Sequence, residues 1–139
     1  MASRSAPWAR ARFAGARVAR LATVSAAGEP HLVPVVFAVV GSVIVTAVDH
    51  KPKSTTRLRR LANIESSPAV SVLVDEYDED WSQLWWARAD GDAAVVSADS
   101  VAPELVDALA GRYPQYADHV PAGPFILIEV RRWSGWSAV

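Results

Sequence analysis

The sequence predicts a mainly β protein, a small antiparallel barrel of about six strands with three short flanking helices. Segments rich in Val and Thr recur along the chain, and most of them follow one another directly. Several of the connections between these segments are short and contain glycine. A parallel βαβ sheet would instead need a long crossover between successive strands.

Size and composition indicate one domain over residues 1–139, since 139 residues with 51% hydrophobic and 21% charged side chains suit a single core. A formal charge of -1 argues against a nucleic-acid binder. The absence of cysteine excludes disulfides and thiolate sites, and three scattered histidines disfavour a zinc site. The longest apolar run, Leu32–Val40, is far shorter than the ~20 residues of a membrane helix. With no signal-peptide pattern either, we expect a soluble cytoplasmic protein.

The first third of the chain predicts one helix and three strands. Ser5 and Pro7 mark a helix start, and a helix to about Ala14 would turn Trp8 and Phe13 inward. The strands are expected at 17–25, 31–39 and 43–48, joined as an antiparallel meander. Because the second of them is apolar at nearly every position, we expect both of its faces to be covered.

The remainder alternates helices with strands. Residues 54–65 have helical spacing, with Ser54 or Thr55 as N-cap. A strand is expected at 69–75, and a strand pair at 84–89 and 93–97 joined through Asp90-Gly91-Asp92. A second amphipathic helix is predicted at 103–112 and a last strand at 125–132.

A basic segment between the third strand and the following helix is the first candidate site. Its five polar members are Lys51, Lys53, Ser54, Thr55 and Arg57. Ammonium and guanidinium groups beside a helix start favour a phosphate, which free N–H groups and hydroxyls would also bind. The alternative is a solvated basic turn that balances the acidic residues 75–80.

The second candidate is the run Pro34-Val35-Val36-Phe37. A proline inside a strand removes a ladder hydrogen bond, so it indicates an edge or a bulge. Main-chain groups exposed there could bond the edge of a planar ring. The alternative is simply the end of a hydrogen-bonded stretch.

Six tryptophans form the third feature. Trp85 and Trp86 are adjacent on a predicted strand and must face opposite sides. One can enter the core, while the other would drive association or stack on a ligand. Two roles therefore remain possible for this pair: core packing combined with a dimer interface, or stacking on a cofactor.

The sequence carries few residues in catalytic or metal-binding patterns. The sequence has no nucleophile elbow, Walker loop, dinucleotide fingerprint or zincin motif. His31 and His50 are candidates for proton transfer or simple surface histidines. Asp78-Glu79-Asp80 is either a cation site or a solvated loop.

Three stretches together resemble a known family. ARVARLATVSAAGEPHLVPVVFAV, VTAVDHKPKSTTRLRRLANIESSPAVSVLVDEY and DWSQLWWARADG follow in the order and spacing of the pyridoxamine-phosphate-oxidase-like split β-barrels. Within that family the chain is most similar to the actinobacterial branch of coenzyme F420-dependent oxidoreductases. The likeness runs from about Phe13 to Trp133.

The resemblance implies a six-stranded antiparallel split barrel, the FMN-binding split-barrel fold, that forms a homodimer with a flavin or deazaflavin at the subunit interface. Lys51, Lys53, Ser54, Thr55 and Arg57 would hold the phosphate. The ring would lie along Pro34, Val35, Val36 and Phe37, with Thr46 and Val48 on the same wall. Trp85 or Trp86 of the second subunit would close the site. The cluster with which pyridoxamine phosphate oxidases grip substrate is not evident in RRWSGW, which argues against a vitamin B6 substrate.

The functional expectation is hydride transfer between reduced F420 and a small unsaturated organic substrate, with the cofactor supplying the chemistry. No residue is assigned a catalytic role. FMN in the same fold is the alternative enzyme. A flavin or tetrapyrrole carrier without turnover and a purely structural dimer are the non-enzymatic alternatives.

Overall fold

A computed structural model describes residues 2–48 and 58–139, which contain eight strands and four α-helices. The strands are β1 (Ala2–Arg4), β2 (Ala19–Val24), β3 (Pro30–Val35), β4 (Ala38–Val40), β5 (Val43–Ala47), β6 (Ala69–Glu76), β7 (Trp85–Val96) and β8 (Phe125–Ser137). The helices are α1 (Ala6–Gly15), α2 (Arg59–Ser66), α3 (Pro103–Arg112) and α4 (Pro114–Asp118).

All eight strands belong to one antiparallel sheet in the order β3-β2-β6-β7-β8-β5-β4, with β1 added to β8. Six strands have five or more residues, and β1 and β4 have three each. The sheet curls around a core of Val, Ile, Leu, Ala and Phe side chains. The predicted class, a mainly β antiparallel split barrel with short helices, is confirmed.

The predicted three-strand meander is wrong, because the second strand is divided in two. β3 pairs with β2, whereas β4 pairs with β5, and the two pairs lie at opposite ends of the sheet. Gly41, at the first position of the two-residue loop between β4 and β5, has the positive φ of 60° that a type II′ turn needs there. The expectation that both faces of the second strand are covered is also wrong for β3, where Leu32 is 66% exposed.

Side-chain hydrogen bonds maintain the break between β3 and β4. The Phe37 N–H donates to the Tyr113 hydroxyl at 3.1 Å, and the Phe37 carbonyl accepts from Arg112 at 3.1 Å. The Thr46 hydroxyl donates to the Val36 carbonyl at 2.7 Å. These residues therefore satisfy backbone groups that a continuous strand would have bonded to a neighbouring strand.

The Arg112–Tyr113 pair also anchors the start of β2. Arg112 donates to the Ala16 carbonyl, and Arg17 donates back to the Arg112 carbonyl at 2.6 Å. The Tyr113 hydroxyl lies 3.0 Å from the Arg17 carbonyl and 2.9 Å from the Phe37 carbonyl, so its single proton is donated to one of these two oxygens. The C-terminal end of α3 is thus hydrogen-bonded to the residues just before β2 and just before β4.

The predicted strand pair at 84–89 and 93–97 is one continuous strand, β7, with no turn at Asp90-Gly91-Asp92. The register against β8 shifts between Asp90 and Gly91, which marks a bulge. Gly91 allows β8 to approach closely, because an added Cβ would collide with the Glu129 carbonyl and lie 3.0 Å from Val130 Cα. Glycine indicates close backbone approach here instead of a reversal.

The helix predicted near the N-terminus is confirmed as α1. Ser5 is the N-cap, its hydroxyl accepts from the Trp8 N–H at 3.3 Å, and Pro7 lies in the first turn. Phe13 is fully buried against Phe37 and Trp133. Trp8 packs on Gly135 of β8, where an added Cβ would come within 2.6 Å of the indole.

Two other boundaries differ from the prediction. Helix α2 begins at Arg59 with Leu58 at the N-cap position, and the predicted N-caps Ser54 and Thr55 lie outside the described residues. The last strand runs on to Ser137, because its final residues pair with both β7 and β1. The helix predicted at 103–112 is confirmed.

The helices cover two parts of the sheet and leave a third uncovered. α1 and α2 contribute Phe13 and Ile64 to the barrel core, while α3 and α4 pack with Val45 and Phe125 in a second core. Elsewhere the outward side chains of β6, β7 and β8 belong to neither core. We call this surface the outer face; its members include Ser71, Leu73, Asp75, Trp86, Arg88, Asp90, Ser134 and Trp136.

We predict that Gly91→Ala destabilises the fold by about 1–3 kcal/mol, because the added methyl group forces β7 and β8 apart. Urea unfolding would measure the loss. Gly111→Ala is the matched control: no atom lies within 4 Å of its Cβ position, so stability should stay level or rise by up to about 1 kcal/mol. Equal effects of the two substitutions would contradict the close approach at Gly91.

We also predict that Tyr113→Phe destabilises the fold by about 1–3 kcal/mol, because the buried Phe37 N–H loses its acceptor. Tyr77→Phe, at a ring that is 64% exposed, should change stability by no more than about 0.5 kcal/mol. Urea denaturation of both variants beside the parent checks this, and an unaltered midpoint for Tyr113→Phe would refute it.

Candidate functional site

The phosphate-binding residues proposed from the sequence lie outside the described residues. These are Lys51, Lys53, Ser54, Thr55 and Arg57, and His50 is outside as well. The described chain reaches Val48, whose N–H donates to the Pro124 carbonyl at 3.2 Å. It resumes at Leu58, directly before α2.

The interpretation of Pro34 as an edge-strand residue is confirmed, because β3 is the last strand at its end of the described sheet. Pro34 is exposed and lies opposite Arg20 of β2. Val35, facing Ala19, is 9% exposed. An edge strand leaves alternate backbone groups unpaired, so β3 offers main-chain donors and acceptors to a ligand.

The second half of the Pro34–Phe37 run is more buried than the first. Phe37 is fully buried and its N–H and carbonyl are both hydrogen-bonded. Thr46 is 2% exposed and its hydroxyl proton is used on the Val36 carbonyl. Val36 itself is half-buried. Thr46 and Phe37 are therefore brought together with Val36, but as a structural unit whose polar groups are already paired.

His31 carries a polar atom without a partner. Its Nδ1 is buried and makes no hydrogen bond within the described part of the chain. His31 lies opposite Thr23, whose hydroxyl accepts from the Asn63 amide at 2.9 Å. One nitrogen of this half-buried imidazole is thus buried without a hydrogen-bond partner among the described residues.

The two neighbouring tryptophans face opposite sides of β7, as predicted. Trp85 packs against the barrel core and meets the Trp8 ring edge-on at 6.2 Å between centroids. The Arg12 guanidinium lies 4.8 Å from the Trp85 ring centroid. Through these contacts Trp85 packs α1 against the sheet.

Trp86 lies on the outer face and pairs across the strands with Trp136. The Arg88 guanidinium lies 5.4 Å from the Trp86 ring centroid and donates to Asp90 at 3.2 Å. A cavity of about 400 Å³ opens beside the two indoles. Trp86 therefore lies on the outer face beside this cavity, which Trp85 also borders.

Among the described residues, a single chain does not bring Trp86 to the Pro34–Phe37 run. Strand β3, which carries Pro34, is separated from β7 by β2 and β6. Three strand spacings correspond to about 14 Å along the sheet. Trp86 and the Pro34–Phe37 run are thus two separate elements of the described surface.

Three residues with structural or surface roles were missed in the sequence. Arg112 and Tyr113 end a helix whose pattern was recognised, but nothing local links them to Phe37, 75 or more positions away. Trp136 is one of the six tryptophans noted in the sequence, but it had no assigned role, because it lies beyond the last strand predicted at 125–132.

Neither a metal site nor a membrane span is found in the parts of the chain that the structure describes. No group of three or more His, Asp or Glu side chains there could hold a metal ion. None of the helices in residues 2–48 and 58–139 has the length and apolar character needed to cross a bilayer.

Solved structures of similar shape share this fold. A FAD-binding protein from Mesorhizobium loti superposes with a TM-score of 0.74 at 20% identity, covering 96% of this chain and 95% of that one. The FAD-binding protein from Mycobacterium smegmatis gives 0.63 at 14% identity, with 98% of each chain covered. HutZ, the heme storage protein from Vibrio cholerae, gives 0.70 at 19% identity over 91% of each chain.

The sequence comparisons give one match. No curated protein matches this chain. The family model described as pyridoxamine 5'-phosphate oxidase matches residues 7–137, which takes in every strand except β1. The chain therefore belongs to the pyridoxamine 5'-phosphate oxidase family and has its split-barrel fold.

Proposed function

We propose that this protein is an oxidoreductase that uses coenzyme F420 to transfer a hydride between the reduced deazaflavin and a small unsaturated organic substrate. The observation that supports the proposal is the family match over residues 7–137, which favours a split barrel with a flavin-type cofactor. The choice of F420 rests on the resemblance of the sequence to the F420-dependent branch. The cofactor, when bound, supplies the hydride chemistry. The chain then has to bind and orient the cofactor and substrate.

The described residues fit a planar cofactor in two respects. Strand β3 is an exposed edge with unpaired backbone groups beside Pro34. His31 of the same strand has a buried Nδ1 without a hydrogen-bond partner among the described residues. A buried polar atom without a partner calls for an explanation, and a donor or acceptor on the edge of a bound flavin or deazaflavin ring would supply one.

The phosphate assignment rests on the sequence. Lys51, Lys53 and Arg57 supply charge, and Ser54 and Thr55 supply hydroxyl donors, just after β5 and before α2. Arg57 suits a phosphate because its planar guanidinium can form two parallel hydrogen bonds. These five residues would hold the phosphate, with Pro34, Val35, Val36 and Val48 lining the ring side.

FMN is the second candidate cofactor, and the two FAD-binding structural relatives favour a flavin of some kind. The heme storage relative supports a third reading, a carrier without turnover. A cofactor titration distinguishes the first two, and turnover with an acceptor distinguishes both from the carrier.

We further propose a homodimer with the cofactor at the subunit interface. The roughly 14 Å between β3 and β7 within one chain supports this. A second copy can bring Trp86 over a ring that lies on β3 of the first. The outer face, which no helix of the described residues packs into a core, is the surface available for such contact.

We predict that fluorescence titration of the apo-protein gives micromolar or tighter binding of F420 and much weaker binding of FMN. Lys53→Ala should weaken F420 binding by about 1–3 kcal/mol, the scale of a charge-assisted contact. Arg131→Ala is the control, because it also removes a positive charge, but from β8, where Arg131 forms an ion pair with Asp92 of β7 at 3.0 Å. Preference for FMN would transfer the proposal to the flavin branch, and binding of neither cofactor would refute it.

We predict that Trp86→Ala lowers the dimer fraction in sedimentation velocity, because its indole lies on the outer face. Trp85→Ala should instead lower the unfolding midpoint and leave the dimer fraction unchanged, since Trp85 packs on Trp8 and the core. A dimer fraction that responds equally to both substitutions would contradict this assignment of the two faces.

A further inference from the structure

A second cavity, of about 490 Å³, lies beside α1 and the start of β7, on the side of the sheet opposite the outer face. Arg4, Trp8 and Arg12 line it from the N-terminal part of the chain, and Glu76 and Trp85 line it from the sheet. Glu76 and Trp85 are direct partners across β6 and β7, so both side chains face this side. The volume lies in the range of roughly 300–1,000 Å³ that holds small ligands.

Two indoles hold the Arg12 guanidinium in the wall of this cavity. It lies 4.9 Å from the Trp8 ring centroid and 4.8 Å from the Trp85 ring centroid. The two rings are nearly perpendicular, at 88°, so the guanidinium lies in the corner between them. Stacking on an aromatic face leaves the N–H groups of a guanidinium free, because they point outward in its own plane.

The N–H donors of Arg12 have no acceptor in the part of the chain that the structure describes. Arg4, the other guanidinium of the cavity, donates to the Ser137 hydroxyl at 2.7 Å and to the Val139 backbone oxygen. Arg12 has its two indole contacts but makes no side-chain hydrogen bond or ion pair within residues 2–48 and 58–139. Its charge is oriented and unpaired, and a guanidinium in that state binds a carboxylate through two parallel hydrogen bonds.

Glu76 supplies the opposite charge in the same cavity. Asp78, which also lines it, accepts from the Asp80 N–H at 2.7 Å, whereas the Glu76 carboxylate has no partner among the described residues. Arg12 and Glu76 line one cavity without forming an ion pair with each other. Because Arg4 and Arg12 are balanced there by Glu76 and Asp78, the cavity favours neither a simple cation nor a simple anion. A ligand that carries both charges can pair with both residues.

We infer that this cavity binds a small zwitterion, an α-amino acid with an apolar side chain, whose carboxylate bonds to Arg12 and whose ammonium group pairs with Glu76. The apolar side chain would lie against Leu84 and Trp85, which belong to the wall. The site is separate from the proposed cofactor site, to which neither Arg12 nor Glu76 belongs. Amino-acid binding is measurable without any cofactor, so this inference and the proposed function can fail separately.

The test compares three probes by ligand-detected NMR titration of the full-length protein. Phenylalanine carries both charges, 3-phenylpropanoate lacks the ammonium group, and 2-phenylethylamine lacks the carboxylate. Phenylalanine should bind about threefold more tightly than either of the others, because it forms one more ion pair at an exposed position. Added salt should reduce both preferences. Equal affinity for the three probes, or no binding of phenylalanine, would overturn the inference on the parent protein alone.

Two substitutions remove the two charges separately. Arg12→Gln should abolish the preference for phenylalanine over 2-phenylethylamine and keep the preference over 3-phenylpropanoate. Glu76→Gln should have the converse effect. A loss of folding would weaken the binding of all three probes alike, so this crossed pattern identifies the two charges as binding groups. A preference that survives its own variant, or a variant that removes both preferences, would contradict the inference.

Two control variants lie outside the cavity. Arg10→Gln changes an arginine of the same helix, whose Nε donates to the Gly41 carbonyl at 2.8 Å, and Glu104→Gln removes a carboxylate from the first turn of α3. Both should keep both preferences, because neither residue lines the cavity. Loss of a preference in either control would also overturn the inference. If F420 or FMN still binds in those cases, the proposed function stands and only the amino-acid site is lost.

Discussion

The hydrogen bonds from the Arg112–Tyr113 pair to Phe37 are the constraint on which the sheet order depends. They take the backbone of Val36 and Phe37 out of the ladder, together with Thr46, and allow one apolar stretch to supply two edge strands. Because β3 and β4 then pair at opposite ends of the sheet, the sheet remains open instead of closing as a meander. The same pair fixes the start of β2 through Ala16 and Arg17, so a single helix end sets both borders of the barrel.

A second constraint separates the two faces of β7. Inward positions carry small residues, Ala87, Ala89 and Gly91, which let β6 and β8 curl around the core. The outward positions are then free for larger side chains, and they hold Trp86, Arg88 and Asp90. Against β8, Trp133 pairs with Ala89 and faces inward, whereas Trp136 pairs with Trp86 and faces outward. One strand therefore supports the core on one side and a polar-aromatic surface on the other.

This division gives the chain two separate surface elements. The β3 edge offers backbone groups and the unpartnered His31 nitrogen, while the outer face offers indoles and carboxylates about three strands away. In the proposed homodimer, a second copy of the chain would bring its outer face over the β3 edge of the first. The proposed dimer and the proposed cofactor site are in this sense parts of one arrangement, although each is tested by its own measurement.

The sequence by itself determined what depends on short-range pattern. Alternating apolar positions predicted most strands, Ser5 and Pro7 predicted the start of α1, and the adjacency of Trp85 and Trp86 required opposite faces. Pro34 correctly indicated an edge, because a missing N–H is a local property. Only the tertiary structure decided that residues 90–92 continue a strand, since the reason is the approach of Glu129 from β8. It likewise decided where the second predicted strand breaks, because the groups that satisfy the broken backbone come from a helix about 75 residues further along the chain.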